Sequence, residues 1–273
     1  MKKRRSLYIT LCAFGAFLVL FFCLAPIYAT AVISLTPPEH VMEPVSYPKY
    51  FEIDNFRQVM RYVVRPMFNS FMYAIITVFA VLAIAIPSAY ALSRFRFKGR
   101  NILRFVLLFT QMLAGVVLMP AVYSLFVKIK LINSVPALIF VYIGVSLSLS
   151  VWLLFGFLDS VPIEVEEAAI IDGAGVFRLL YGIVVPIIKP GIAVSAIFTF
   201  VGTYNEFVIP LFLMNDAKHG TITMTLNSFL TAITIDWNVL AAGAIIGMLP
   251  PLLIFMIFQK NIISGSTAGA IKG

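Results

Sequence analysis

The chain is poor in charge, and that scarcity excludes more than any single motif does. Only 12% of its 273 residues are Asp, Glu, Lys or Arg, about half of the ~25% that a water-soluble domain carries. Histidine and cysteine each occur twice. His40 and His219 fall in separate loops with no cysteine or paired carboxylate at ligand spacing, so no metal centre is expected. Cys12 and Cys23 share one apolar run. On a helix they stand ~16 Å apart, too far for a disulfide, and they read as small apolar fillers. No two glycines are spaced five residues apart, which rules out a G-x-x-x-x-G-K-[ST] phosphate loop; Gly265 and Gly269 imitate one at the wrong spacing. No nucleophile-elbow motif is present either. The chain reads as a non-enzyme, with no cofactor of its own and no means of hydrolysing ATP.

What fills the sequence is apolar: 61% of the residues are hydrophobic and the mean hydropathy is +1.01. Six runs approach or exceed the ~20 residues that a membrane span needs. They are Leu7–Leu35, Pro66–Leu92, Ile102–Val127, Val135–Leu158, Pro190–Met214 and Val239–Phe258. Backbone groups in lipid must bond within their own segment, so the runs predict helices. The expected fold is all-α, a multi-pass membrane protein with six transmembrane helices. Basic residues set its orientation. With a cytoplasmic N-terminus, 13 of the 20 Lys and Arg residues lie inside, from Lys2–Arg5, Arg94–Arg104, Arg178, Lys189 and the tail. Both termini are therefore expected in the cytoplasm. The net charge of +8 flanks spans instead of forming one stripe, so no nucleic-acid partner is expected.

Lys2–Arg5, the apolar stretch behind them and Ala29-Thr30-Ala31 imitate a signal peptide. The stretch runs well past the 7–15 residues of a cleaved segment, and it reads as an uncleaved anchor. Residues 1–65 are taken as that anchor plus an extracytoplasmic loop, and residues 66–273 as a five-span core. The loop, Thr36–Arg65, carries Pro37, Pro38, Pro44 and Pro48, with a short helix near Ile53–Val63. It is a connector or a contact surface for a soluble partner outside. Ser93–Arg100 alternates Arg with Phe, as suits snorkelling cations and interfacial rings. Asn215–Asn238 is a short extracytoplasmic segment, and the tail Ser264–Gly273 is small and flexible. Gly243 and Gly247 suit close helix packing.

Tyr204-Asn205-Glu206 lies inside the fifth run. An ionisable residue there is a functional candidate by default. Glu206 could line a water-filled path or gate, bond a neighbouring helix, or couple protons. Asn69, Ser70 and Gln111 are milder cases of the same kind, for which helix–helix bonding is a live alternative.

The most informative segment is the polar one between the fourth and fifth runs, residues 159–189. Glu166-Glu167-Ala168-Ala169 favour a helix, and Gly173 stops or bends it. Pro162 suits the helix start, and Glu164, Glu166 and Glu167 put negative charge near the positive end of the dipole. A surface helix held just outside the bilayer is a shape for docking another protein. The spacing Glu167-Ala168-Ala169, Gly173, Ile183, Pro186 resembles the cytoplasmic loop of importer-type ABC transporter permeases, with Val185 where Leu is commoner. Arg94–Arg100, Thr110-Gln111-Met112, Trp152–Phe157 and Asn205-Glu206-Phe207 are similar to segments of the same family. Gly265–Gly273 resembles the ending of its carbohydrate-importer subgroup, the second permease of the maltose-transporter type. Tyr204 stands where an aromatic, often Trp, precedes the Asn-Glu pair.

The resemblance implies an assembly. This chain would pair with a second permease subunit to form the path, in the plasma or inner membrane of a prokaryote. Two ATPase subunits would bind ATP and Mg on the cytoplasmic face, and an extracytoplasmic binding protein would deliver a carbohydrate. The loop helix would insert into the ATPase as a coupling helix, through Glu166, Glu167, Ala168, Ala169, Asp172, Gly173 and Pro186. The path would include Gln111, Tyr204, Asn205 and Glu206. Two rivals remain open at this stage. An ion-gradient-coupled carrier explains the spans and Glu206 but leaves the docking segment idle. A scaffold or receptor subunit uses the docking segment but not the intramembrane polar groups. Within the family, importers of non-sugar solutes share the loop.

Overall fold

The computed structural model describes residues 2–43, 47–112, 115–230 and 236–270. Pro44, part of the segment 215–238 and the last three tail residues lie outside them. Among the described residues every regular element is helical. The longer helices are α1 (Lys2–Ser34), α2 (Asp54–Arg94), α3 (Arg100–Met112), α4 (Gly115–Lys128) and α5 (Val135–Asp159). The polar segment folds as α6 (Ile163–Ile171), α7 (Val176–Leu179), a π-helical turn (Leu180–Val184) and α8 (Val185–Ile187). Then come α9 (Lys189–Tyr204), α10 (Val208–Leu213), α11 (Ile222–Leu230) and α12 (Trp237–Ala270).

Four helices are long and apolar enough to cross a membrane: Ile9–Ser34, Asp54–Arg94, Val135–Asp159 and Trp237–Gln259. Two bent pairs raise the number to six when each counts as one span. The third run, read as one helix, is Arg100–Met112 followed by Val117–Lys128 at 99°. The fifth run also breaks. Its helix α9 meets the preceding Val176–Ile187 at 78° and ends at Tyr204, three residues before α10. The short helix near Ile53–Val63 is no separate element, since α2 runs unbroken from Asp54 through Pro66 and Pro87. In the tail, the helical backbone continues through Gly265 and Gly269 to Ala270.

The chain divides into two compact units, one of residues 1–64 with 225–249 and one of residues 65–224 with 250–273. In the first, the Asn55 side-chain amide donates to the carbonyls of Ser34 and Thr36, both at 3.0 Å. Asn238 donates to Asn55 Oδ1 at 2.7 Å, so one buried amide joins the end of α1 to the starts of α2 and α12. A Cβ on Gly243 would meet Leu226 at 2.8 Å and Val59 at 3.0 Å, which is the close packing its sequence context suggests. Cys12 and Cys23 are free and exposed on α1.

In the second unit, Val81, Ala85 and Ala89 of α2 pack with Val151, Leu154 and Leu158 of α5 and with Ala169, Leu179 and Val184 of the polar segment. Helices α5 and α9 approach closely, because a Cβ on Gly191 would stand 2.5 Å from Phe157 Cγ. A second cluster joins Tyr73, Met119, Leu138, Tyr142, Ile209 and Leu213. Asn69 and Ser70 hold the loop before α11. Asn69 donates to the carbonyls of Lys218 and Gly220, and Ser70 Oγ accepts from the Ile222 N–H. In that loop the Asp216 carboxyl is held below its usual range, mainly by the Lys218 backbone N–H and also by His219. Each histidine thus has a carboxylate beside it, Glu43 for His40 and Asp216 for His219. No cluster of three ligands suited to a metal occurs among the described residues.

Candidate functional site

Two places in the second unit collect the residues singled out by the sequence. The first is α6 and its surroundings. Pro162 takes the N-cap position with φ −58° and ψ 136°, so its missing N–H is no loss. The helix ends after Ile171 in a Schellman arrangement. The Ala174 N–H donates to the Ala169 carbonyl and the Gly173 N–H to the Ile170 carbonyl, each at 3.0 Å. Gly173 has φ +81°, with nothing within 4 Å of an added Cβ. The requirement for glycine is therefore conformational, not steric. Further on, Pro186 is exposed on α8, just after the π-helical turn, where the Val185 N–H reaches back to the Leu180 carbonyl.

Glu166 departs from the expectation that it faces a partner. It is only 4% exposed. Its Oε1 accepts from Arg94 Nε at 2.7 Å and its Oε2 from the Tyr90 hydroxyl at 3.0 Å. Arg94 also donates to the carbonyls of Leu158 and Val161, at 3.1 and 3.0 Å. One guanidinium thus fastens α6 to the end of α2 and to the chain leaving α5. A buried ion pair is tolerable only with this degree of satisfaction. Arg100 and Arg104 add to the same junction by donating to the Leu92 carbonyl at 2.7 and 2.8 Å. The last carbonyls of α2, which have no partner within their own helix, are capped by cations. The arginine–phenylalanine segment therefore builds a joint at the end of α2.

Ala169 is buried beside Glu166, while Glu164, Glu167, Ala168 and Asp172 are exposed. The apolar residues on the outer surface are conspicuous: Ile171 is 85% and Phe177 81% exposed. The segment is held rigidly from behind and presents small, acidic and apolar groups in front.

The second place is the break between α9 and α10. Pro210 has no N–H, so the Glu206 carbonyl loses its helical donor. The Thr223 hydroxyl supplies a substitute at 2.8 Å. Glu206 Oε1 accepts from the N–H groups of Val208 and Ile209, at 2.9 and 3.1 Å, and so caps α10 with a negative charge at its positive end. Beside it lies an open cavity of about 170 Å³, lined in part by Gln111, Tyr142, Ser146, Thr199, Thr203 and Glu206. The fold brings Gln111 and Glu206 together there. It does not bring Tyr204, which is buried and stacked on Phe200 at 5.8 Å, nor Asn205, which is exposed at the end of α9. Neither lines the cavity.

Four residues that matter here were missed by sequence reasoning: Tyr90, Arg94 as an ion-pair partner, Tyr142 and Thr203. Thr199 and Thr203 stand at i and i+4 near the end of α9, with Glu206 three residues further on in the break, and that spacing of polar residues was available. The hydroxyls of Tyr142 and Thr203 are buried without a hydrogen-bond partner among the described residues. An orphaned group of this kind costs about 1–3 kcal/mol.

Together these features define a helical membrane protein with a braced, partly exposed helical segment on one loop and a cavity that carries several polar side chains among its apolar helices. Residues 82–265 match the family described as binding-protein-dependent transport system inner membrane component, and the chain belongs to that family. It is similar to the galactooligosaccharides transport system permease protein GanQ of Bacillus subtilis, at 31% identity over 100% of this chain and 99% of that one. It is also similar to the maltodextrin transport system permease protein MdxG of the same organism, at 35% identity over 75% of this chain and 74% of that one. Its fold resembles that in a crystal structure of a bacterial ABC transporter involved in the import of the acidic polysaccharide alginate. The TM-score is 0.78 at 19% identity, covering 94% of this chain and 97% of that one. The protein is a multi-pass membrane component of a transport system, not a catalytic subunit.

Proposed function

We propose that this chain is one of two permease subunits of an ATP-driven, binding-protein-dependent importer that moves a sugar or oligosaccharide across the plasma membrane of a prokaryote. Each bent helix pair counts as one span, giving six, with both termini in the cytoplasm. Residues 66–273 form the working core. Two ATPase subunits bind ATP and Mg on the cytoplasmic side, and a soluble binding protein delivers the sugar outside. The single observation that carries the coupling role is the two-sided build of α6. Its inner face is fastened through Glu166 to Arg94, and its outer face leaves Glu167, Ala168, Asp172 and Gly173 exposed.

The mechanism follows from that arrangement. A helix only nine residues long transmits a push only if it cannot tilt independently of the spans behind it. The Arg94–Glu166–Tyr90 junction supplies the stiffness, and the exposed face supplies the contact with the ATPase. Glu167 offers a polar contact, Ala168 permits close approach, and Gly173 sets the turn into α7. Glu166, Ala169 and Pro186 are positioning residues. Gln111 and Glu206 lie on the path. The ion-gradient alternative loses its main support, since Glu206 is engaged as a helix cap. The sugar class is supported by relatives named for galactooligosaccharides and maltodextrin.

Purification from native membranes in mild detergent tests this reading. Co-purification of a second permease and of a protein carrying a phosphate loop is the expected result. A chain that purifies alone, and transports in liposomes under an ion gradient, overturns it.

A further inference from the structure

The cavity beside Glu206 contains polar groups that the fold leaves without work. The Tyr142 and Thr203 hydroxyls have no partner among the described residues, although these residues are only 2% and 5% exposed. Glu206 commits Oε1 to α10, and no bond to Oε2 is present among the described residues. Gln111 adds an exposed amide from α3. Phe198 stands on the same wall and is 57% exposed. A free carboxylate oxygen, two hydroxyls, an amide and an open ring face suit a solute with many hydroxyls on a ring. The carboxylate accepts from neighbouring hydroxyls, the side-chain hydroxyls and amide donate or accept, and the ring covers a C–H face. The cavity, about 170 Å³ and open at one side, is small, of a size for one sugar ring at a time.

We infer that this subunit itself touches the transported sugar, through Glu206 Oε2, the Tyr142 and Thr203 hydroxyls and the Gln111 amide, with Phe198 as the stacking face. The path through this chain is thus a subsite that reads hydroxyls, not an inert wall. The inference rests on the sugar-importer reading above.

The test uses the complete transporter in liposomes, with its binding protein and ATP. Uptake of maltotriose and galactotriose is compared with uptake of their monodeoxy analogues, in wild type and in Tyr142→Phe, Thr203→Val and Glu206→Gln. Each variant is expected to slow the parent sugar about tenfold, the size of one lost hydrogen bond. One particular monodeoxy analogue, lacking the hydroxyl that the altered side chain reads, is slowed less than twofold further. That non-additivity marks a direct contact. A merely structural fault slows the parent and every analogue alike, and that result overturns the subsite, as does unchanged uptake in all three variants. A wild-type transporter that moves neither trisaccharide but takes up an amino acid or an inorganic ion overturns the sugar reading, and the subsite with it.

Discussion

Glu166 and Glu206 are both carboxylates of limited exposure beside a helix terminus, yet their surroundings are opposite. At Glu166 both oxygens are bonded, one to a guanidinium and one to a phenol, and the unmet demand nearby is apolar: Ile171 and Phe177 stand in the open. At Glu206 only one oxygen is bonded, and the unmet demand is polar: the Tyr142 and Thr203 hydroxyls have no partner. A site with satisfied polar groups and bare apolar surface suits a protein partner. A site with orphaned polar groups suits a small polar solute. The contrast separates the two sites on physical grounds.

Breaking the braced end gives the largest effect. Arg94→Ala leaves Glu166 buried without its cation, a loss of about 3–5 kcal/mol. The expected outcome is sharply reduced thermal stability of the purified complex and loss of sugar uptake. Glu166→Gln keeps a hydrogen-bonding oxygen, so it is expected to retain more stability than Arg94→Ala. Equal melting temperatures for Arg94→Ala and wild type would remove the brace from the mechanism.

The close contact behind the brace comes next. Gly191→Ala forces a Cβ against Phe157, an overpacking worth about 1–3 kcal/mol. It is expected to lower the detergent melting temperature. An unchanged melting curve would mean that α5 and α9 yield more easily than their spacing implies.

Gly173 sharpens the comparison at the exposed end of α6. With φ at +81°, any larger side chain costs about 1–2 kcal/mol of backbone strain. Gly173→Leu is expected to insert and assemble normally while ATP hydrolysis continues without uptake. Wild-type uptake in a correctly assembled variant would withdraw Gly173 from the coupling set.

The smallest effect on stability belongs to Glu206. Glu206→Ala removes the cap of α10, about 0.5–2 kcal/mol, whereas Glu206→Gln can keep it through the amide oxygen. Melting temperatures that rank wild type, then Gln, then Ala would bear out the cap. A Gln variant as unstable as Ala would show that the negative charge is essential there.

How much of this was legible depends on the range of the interaction. The turn at Gly173 could be read because a left-handed residue after a helix is a local demand. Hydropathy in α6 runs against its burial. Glu166 and Ala169 face inward while Ile170 and Ile171 face out, the reverse of what hydropathy suggests, and the resemblance by which Glu166 was grouped with residues available to a partner does not record that burial. The break in the fifth run was signalled only by Pro210, and the carbonyl it leaves without an N–H is satisfied by Thr223, seventeen residues from Glu206. Tyr142 was invisible because nothing in its own apolar helix records a missing partner.

By itself the sequence determined that this is a helical membrane protein and where α6 starts and stops. Those are consequences of composition and of backbone preferences over a few residues. The tertiary structure alone decided which glutamate is the brace and which residues share a cavity. Arg94 and Glu166 are 72 residues apart in the chain, and pairing at that range is set by how helices pack, which no local pattern encodes.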